Sequence, residues 1–416
     1  MRIALVTPYN TRSAISTWAR LIALQLDRRG HAVTVVRAES ALPLLEAPLA
    51  LPALQAPGRV VVGRDVSPND LAQQHDVIVY ALGNHFGHHA EVPRLLSQAP
   101  GMVVLHDADM SGFHWGWAST AFADEVPPAA SDGATLLSWF AARATGAVVH
   151  AQFYADAVRR HCLGPVGVLP LAFSDLDVPP PRRRKPREKM TVATLGDANT
   201  NKRHHAIFEA IGTVPQLRAG VVYRVLGHAT PERQAELQAQ ADAAGVAISF
   251  SGWLSLDDMR SAVADVDVLC CLRWPVTKGA SASAILGLLS GRPVVVPDTG
   301  SFADLPDDFV FRVPAGDEVP ALSAHIALLF NHPNAGVELA TAARAWARET
   351  FLATHYVNRL IPLLEASDAA APMAALMRTL SAEALELGLP QDDPAVQRSR
   401  VVAERAFGPI DPSRAA

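Results

Sequence analysis

The sequence predicts an α/β protein built from two doubly wound domains. Short apolar runs recur along the chain, each followed by a segment of helical spacing, and the alternation halts once at a proline-rich basic stretch before it restarts. Runs that are hydrophobic without alternation are what parallel strands look like when helices cover both faces of the sheet. Length agrees: 416 residues exceed the roughly 250–300 at which a single core stops growing.

Ile3–Thr7 (IALVT) reads as a buried strand. Ala14–Arg29 is amphipathic, with Ile15, Trp18, Leu21, Ile22 and Leu26 at helical spacing, and Gly30 ends it. Ala32–Val36, Val60–Val62, Val77–Leu82, Met102–His106 and Ala147–His150 read as further strands and complete a first domain, 1–173. Within it, Ala41–Pro57 holds Glu46 and four prolines, Pro43, Pro48, Pro52 and Pro57, which break any helix. It reads as an irregular apolar loop, either packed on its own domain or offered to an acceptor or a membrane surface.

Residues 174–189 (SDLDVPPPRRRKPREK) read as an exposed linker. Their basic run is either ordinary solvated charge or a patch for phosphate or lipid head groups. Strands then resume at Thr191–Leu195, Val221–Leu226, Ala247–Phe250, Val266–Cys271 and Pro293–Val296. Helices fit Lys202–Ile211, Pro231–Ala243, Leu256–Ala264, Ala280–Ser290 and Ala321–Phe330. This second domain spans 190–335. Val337–Leu364 and Ala369–Leu387 read as terminal helices within 336–416, a segment expected to pack partly back on the first domain. Sheets of this kind bind ligands outside the carboxyl ends of their strands, so two of them are expected to face a cleft.

Composition narrows the function. Thirty-six basic against 41 acidic side chains give a net charge of −5, which argues against a dedicated nucleic-acid binder. Three cysteines, Cys162, Cys270 and Cys271, make no disulfide framework, and a reducing cytoplasm is the expected setting. No secretory signal and no uninterrupted apolar span of about 18 residues stand out, so no membrane crossing is expected. No G-x-S-x-G elbow, Walker loop or paired C-x-x-C occurs, and Gly83, Gly87 and Gly196 form no dinucleotide fingerprint.

The chemistry-bearing stretch is Leu195–Ala210, LGDANTNKRHHAIFEA. A strand ends at Gly196, a polar loop with Asp197 and Asn199 follows, and Lys202 and Arg203 open a helix. Free N–H groups at a helix start beside a Lys and an Arg make a diphosphate cradle; solvated surface cations are the plainer alternative. Further on, the loop with Lys278 leads into Ala280-Ser281-Ala282-Ser283 at a second helix start, where small side chains let a ligand approach the backbone. In the first domain, Asp107-Ala108-Asp109 and the histidines His85, His88, His89 and His106 follow strand ends. They are expected to line a cleft or cap strands rather than to bind metal, with His106 or Asp107 as an acid/base candidate.

Taken in order, "LG…NKR…A" after a strand, "F-x-G" followed by LDDMRSAVADVDVLCCL, and "G-R-P-VVVPD-x-G" resemble the donor-binding half of family 4 (group 1) glycosyltransferases. VTPYNTRSAISTWARLIALQLDRRGHAVTVV, ALGNHFGHH, VVLHDADM and VVHAQFYADAV are similar to their acceptor-side half. The resemblance covers roughly residues 1–350. It implies the GT-B fold of two Rossmann-like domains and a metal-independent enzyme, without cofactor, that moves a sugar from a nucleotide-diphosphate donor with retention of configuration. Lys202 matches the family's diphosphate lysine. Gly252 and Trp253 fall where the nucleotide base is held, and Gly196, Asp197, Asn199, Arg203, Lys278, Ala280, Ser281, Ala282 and Ser283 fall around the donor. Arg12, Ser13, Asn84, His85 and His88 fall on the acceptor side, with His106 and Asp107 at the strand end.

The chain departs from the family's pattern at three places. Lys278 and Leu286, or Gly279 and Gly287 in a register slipped by one, stand where the family carries two glutamates separated by seven residues, so that motif is degenerate. Asp197 replaces an arginine, and Arg12-Ser13-Ala14-Ile15-Ser16 replaces a glycine-rich loop. Two readings follow: a cytoplasmic transferase acting on a glycan, lipid-linked or protein acceptor, or a silent homologue that binds or scaffolds. Peripheral contact with the inner face of a membrane and a homodimer complete the expectations.

Overall fold

Fourteen consecutive residues of helical spacing, Ala14–Asp27, bury Trp18, Ile22 and Leu26 against the first strand and its neighbours. That pairing sets the pattern for the whole chain in the computed structural model, which describes residues 1–42, 47–120, 126, 133–179, 188–390 and 393–407. The chain forms two units, Met1–Ala172 with Ala353–Ala416, and Phe173–Leu352.

In the first unit the strands are β1 (Arg2–Thr7), β2 (Ala32–Arg37), β3 (Arg59–Val62), β4 (Val77–Leu82), β5 (Met102–Leu105), β6 (Gly146–Val149) and β7 (Val166–Val168). They form one parallel sheet in the order β3-β2-β1-β4-β5-β6-β7, with Val6 paired to Val36 on one side and Tyr80 on the other. Side chains alternate between two cores. Val6, Tyr80, Leu82 and Leu105 pack with Phe113, Trp117 and Phe140. Leu5, Val79 and Val104 pack with Trp18, Ile22, Tyr356 and Leu360.

The second unit holds β8 (Met190–Leu195), β9 (Val221–Leu226), β10 (Ala247–Phe250), β11 (Val268–Cys270), β12 (Val294–Pro297) and β13 (Phe311–Val313), all parallel, in the order β10-β9-β8-β11-β12-β13. The order reverses beside β8, so β8 and β11 are neighbours whose carboxyl ends open at the topological switch point. This is the doubly wound architecture that the strand–helix alternation predicts.

Several elements differ from the sequence reading. β7 and β13 are three residues each and carry too few apolar positions to register. Gly167 in β7 has a physical reason: a Cβ there would meet the Leu363 side chain at 2.3 Å. The stretch expected as a linker is in part built into the second unit. Leu176 and Val178 are buried, Asp175 pairs with Arg348 at 2.6 Å, and the buried Arg292 donates to the Pro179 carbonyl at 3.1 Å. Most of its basic run falls in 180–187, outside the described residues, as does 43–46 of the proline-rich loop.

The terminal helices also divide elsewhere. Pro333–Phe351 belongs to the second unit and Ala353–Glu386 to the first, with the break at the extended residue Leu352 rather than near 365–368. Phe173 N donates to Phe351 O at 2.7 Å, so the chain enters and leaves the second unit side by side. Ala353–Glu386 runs through Pro362 and Pro372 and joins what the sequence reading takes as two helices, parted at 365–368. By length and composition this helix is apolar enough to cross a membrane, although Arg359, Glu365, Asp368 and Arg378 interrupt it, so it holds no unbroken apolar span of about 18 residues. Its first half is docked, however: Tyr356, Val357, Leu360 and Leu364 are each at most 1% exposed on the first sheet.

Replacing Leu364 by Ala therefore removes a fully buried side chain and is expected to destabilise the first unit by about 2–4 kcal/mol. Leu385→Ala, at a 79% exposed position, is expected to stay within about 0.5 kcal/mol of wild type. Urea unfolding followed by tryptophan fluorescence measures both.

Candidate functional site

The second unit gathers its polar residues where β8 and β11 end. Gly196 follows β8 at φ +79, a conformation that glycine adopts without strain. Gly196 N donates to Leu226 O at 2.8 Å and Ala198 N to His228 O at 2.9 Å, which tie this loop towards the end of β9. Lys202 closes the short turn Thr200–Lys202 and its Nζ donates to the Leu195 carbonyl. A Cβ on Gly196 would sit 3.2 Å from that ammonium, so glycine and lysine are fitted to each other.

Lys202 is 6% exposed. Burial pushes its ammonium down from the ordinary 10.5 to about 8; the neighbouring Arg273 and Lys278 push the same way, while Asp197 opposes them. Trp274 N donates to Asn201 O at 2.9 Å, which brings the loop after β11 against the Lys202 turn. In that loop the Cys271 thiol is pushed up to about 11 by burial and is hydrogen-bonded by Ser283. Ser281 caps the helix Ala282–Leu289 by accepting from Ala284 N at 3.3 Å, with the Ser283 hydroxyl 3.2 Å away. Lys202, Arg273, Lys278, Ser281 and Ser283 thus share one rim, with Ala280 and Ala282 leaving the backbone open beside them. Cations and free helix N–H groups in one place suit an oxyanion such as a diphosphate.

Beneath the turn lies a buried chain. His204 Nδ1 is 2.7 Å from the Tyr223 hydroxyl, itself 2.5 Å from Thr194 Oγ1. Burial, with the adjacent Lys202 charge, pushes the His204 imidazole down to about 3, so the ring is neutral and buttresses the loop without adding charge.

Arg203 goes elsewhere. The helix starts at His204, not at Lys202, and Arg203 takes a left-handed φ of +56. Its guanidinium forms a two-pronged ion pair with the buried Glu318, at 3.0 and 2.9 Å. Its expected place on the diphosphate is corrected to this pair, which pins the turn to the loop after β13. Asp197 and Asn199 are exposed and joined through the Asn199 N to Asp197 O bond of 2.8 Å. Gly252, at φ +71, follows Ser251, whose hydroxyl accepts from Gly227 N at 3.1 Å and donates to Gly252 O at 2.9 Å. Trp253 then stands 78% exposed, an indole face able to stack on a planar ring.

In the first unit a second cluster forms at the ends of β1, β4 and β5. The buried Asn10 organises it. Its Oδ1 accepts from Arg12 N at 2.9 Å and Ser13 N at 3.0 Å, and its Nδ2 bonds Glu39 Oε1 at 3.1 Å and approaches His88 Nδ1 at 3.2 Å. A Cβ on Gly83 would fall 2.5 Å from Ile15 Cδ1 and 3.2 Å from Asp107 Oδ2. Glycine there lets the 10–15 loop, the end of β4 and the end of β5 converge. Asn84 N donates to Asp107 Oδ2 at 2.8 Å, the Asn84 carbonyl oxygen Oδ1 accepts from Phe113 N at 2.7 Å, and the His85 and His88 rings lie 4.9 Å apart. Arg12 and His85 are exposed.

His106 is held from behind. His150 is buried and its imidazole is pushed down to about 4, so it is neutral. Its Nδ1 lies 2.9 Å from the Leu169 carbonyl, which can only accept, so Nδ1 carries the proton and Nε2 accepts from His106 Nδ1 at 3.1 Å. The same bond takes the Nδ1 proton of His106, whose Nε2 is buried. The edge of Trp18, 4.7 Å between centroids, restricts its ring further. Asp109 is spent on Ser111, accepting from its N at 2.9 Å and its hydroxyl at 2.8 Å. Among the described residues no group of three His, Cys, Asp or Glu is placed to hold a metal.

Residues 189–332 match the family model described as glycosyl transferases, group 1. Over this stretch the chain is similar to group 1 glycosyltransferases. No curated protein sequence matches the chain. Among solved structures, Anabaena HepE in complex with UDP and glucose is similar at 16% identity and a TM-score of 0.61, over 88% of this chain and 99% of that one. Sucrose-phosphate synthase from Thermosynechococcus elongatus is similar at 13% identity and 0.64, over 88% and 98%. A glycosyltransferase from Rickettsia africae is similar at 11% and 0.62, over 88% and 98%. At these identities the likeness is one of fold: the chain is GT-B. The match and the fold together support a glycosyltransferase enzyme.

Sequence reasoning singles out Lys202, Gly196, Lys278, Ser281 and Ser283 in the second unit, and the structure brings them together. It passed over Tyr223, Glu318, Asn10 and His150. Tyr223 lies mid-strand and Glu318 lies 115 residues from its partner, so neither carries a local signal. The Asn10 signal was present: an Asn two and three residues before Arg12 and Ser13 is a turn former.

The drop of the Lys202 ammonium from 10.5 to about 8 corresponds to roughly 3 kcal/mol against the charged form. A lysine with a depressed folded value is charged below about pH 8 at a cost to stability, and that cost vanishes as pH rises towards 10.5. Lys202→Met is accordingly expected to raise the unfolding free energy at pH 7 by about 1–3 kcal/mol and to leave it nearly unchanged above pH 10. Affinity for inorganic pyrophosphate is expected to fall as pH passes through 8 in wild type and to lose that dependence in the variant. Urea unfolding and calorimetric titration across pH 6.5–9.5 check both.

Proposed function

We propose that the protein transfers a sugar from a nucleotide-diphosphate donor, bound by the second unit, to a glycan, lipid-linked or protein acceptor bound through Arg12, Ser13, Asn84, His85 and His88 of the first. The observation that carries this is the buried Lys202 at the switch point of a domain matched over 189–332 to the group 1 family. In the step, the bond from the sugar's anomeric carbon to the terminal phosphate oxygen breaks and its electron pair stays on that oxygen. The acceptor hydroxyl oxygen forms the new bond from the same face, with retention of configuration, and its proton leaves with the departing nucleoside diphosphate. Lys202, Arg273 and the N–H groups at Ala282 stabilise the growing phosphate charge, an electrostatic contribution of about 3–4 kcal/mol for a single well-placed donor. No metal or cofactor takes part in this reading. Trp253 offers a face to the base. His106 or Asp107 serves as acid/base or orients the acceptor in this reading, and Asp107 also holds the backbone of Asn84.

The setting proposed is the cytoplasm, with peripheral contact to the inner face of a membrane through the apolar and basic loops; a homodimer stands beside it as a further reading. A silent homologue that binds or scaffolds is the second reading of function. It is favoured by Lys278 and Leu286 at the positions where the family carries glutamates, and by Asp197 in place of an arginine.

Titration with UDP, GDP and their hexose conjugates, followed by a donor-hydrolysis assay, separates the two readings. Tight binding with turnover, both reduced at least a hundredfold by Lys202→Ala, is expected for the transferase. Binding without turnover identifies a silent homologue that binds, and a domain that takes up no nucleotide and shows no turnover overturns the transferase and supports the scaffold.

A further inference from the structure

The first unit exposes its aromatic side chains at the carboxyl ends of β5 and β6. Among the described residues these are Trp115, 71% exposed on the helix Ser111–Ala118, and Phe153, 42% exposed in the short turn Gln152–Tyr154. Scattered aliphatic residues on a surface need no explanation, and Leu376, Leu385 and Leu387 of the long terminal helix are of that kind. Two aromatics that follow neighbouring strands, at the end of the sheet where ligands bind, form a pattern. The helix that carries Trp115 begins against the acceptor-side residues. Phe113 N donates to Asn84 Oδ1 at 2.7 Å, and a Cβ on Gly112 would fall 2.9 Å from the Asn84 main-chain carbonyl oxygen. His85, the next residue after Asn84, is exposed. Helical residues four apart are surface neighbours, which puts Trp115 beside Ser111. The Ser111 hydroxyl donates to Asp109 Oδ2 at 2.8 Å, so its proton is committed and its oxygen is left to accept from a ligand. The His114 ring stands at 77° to the indole, 5.8 Å between centroids, and steadies it.

We propose that the acceptor is a glycan and that Trp115 is the platform on which one of its pyranose rings stacks. The inference deepens the transferase reading above and rests on it for the role of that sugar as acceptor. A pyranose has an apolar C–H face, which suits the electron-rich face of an indole. Its rim of hydroxyls suits a committed acceptor such as the Ser111 oxygen and an imidazole such as His85. A lipid surface is met instead by aliphatic side chains and cations around the aromatic, whereas the indole here stands beside the Asp109–Ser111 pair, which is polar and carries a negative charge.

The test is an array of bacterial and plant oligosaccharides probed with the whole protein, followed by calorimetric titration of the oligosaccharide it binds best. Trp115→Ala is expected to weaken that binding about tenfold and Trp115→Phe no more than about threefold, while UDP binds all three proteins alike. Because Trp115 is exposed, both variants are expected to fold, which matching urea unfolding curves verify. Wild-type protein that binds no glycan on the array, or glycan binding that is undiminished in Trp115→Ala, overturns the assignment and leaves the nucleotide-sugar reading intact. Sedimentation with phosphatidylglycerol vesicles that depends on Trp115, without Trp115-dependent glycan binding, also overturns it and gives the residue to a membrane. Glycan binding that depends on Trp115, in a protein that takes up no nucleotide and shows no turnover, upholds the platform and overturns the transferase.

Discussion

A single buried ammonium organises the second unit. Lys202 has little contact with water, yet it is seated on the Leu195 carbonyl with two further cations nearby. Such an arrangement is unfavourable in the isolated protein, because burial and like charge both oppose the protonated form. It becomes favourable when an anion arrives. Poised positive charge in a partly dry site interacts with a developing phosphate charge more strongly than the same lysine would on the surface, and it needs no reorganisation at the moment of reaction.

The surrounding structure exists to hold that lysine in place. From below, the neutral His204–Tyr223–Thr194 chain supports the turn without introducing an opposing charge. From the side, the Arg203–Glu318 pair fixes the turn. The left-handed Arg203 is the local strain that directs its side chain away from Lys202 and towards Glu318. Had Arg203 pointed into the rim, a further cation would have pushed the lysine down still more. Glycine at 196 completes the fit by leaving room for the ammonium beside the strand end.

The first unit applies the same logic to histidines. His150 is neutral because it is buried, and its bond to the Leu169 carbonyl decides which nitrogen carries the proton. That choice passes along one hydrogen bond to His106. Asn10 plays the equivalent part for the loop that precedes the first helix, gathering two backbone N–H groups and a glutamate about one amide. The long helix Ala353–Glu386 closes this unit from the far end of the chain, covering the sheet face that Trp18 and Ile22 leave partly open.

Periodicity and punctuation determined most of the architecture. Apolar runs without alternation fit strands covered on both sides, which is why eleven of the strand positions and the doubly wound class were legible, along with the lysine after β8 and the small residues at Ala280–Ser283. What the sequence left open depends on distance along the chain. The pairing of Arg203 with a glutamate 115 residues away, the tautomer of His106 set from residue 150, and the division of the terminal helices at Leu352 are settled only when the sheets close. Local pattern records which face of an element is apolar; it holds no record of which distant side chain will neutralise a charge, and that is the information tertiary packing adds.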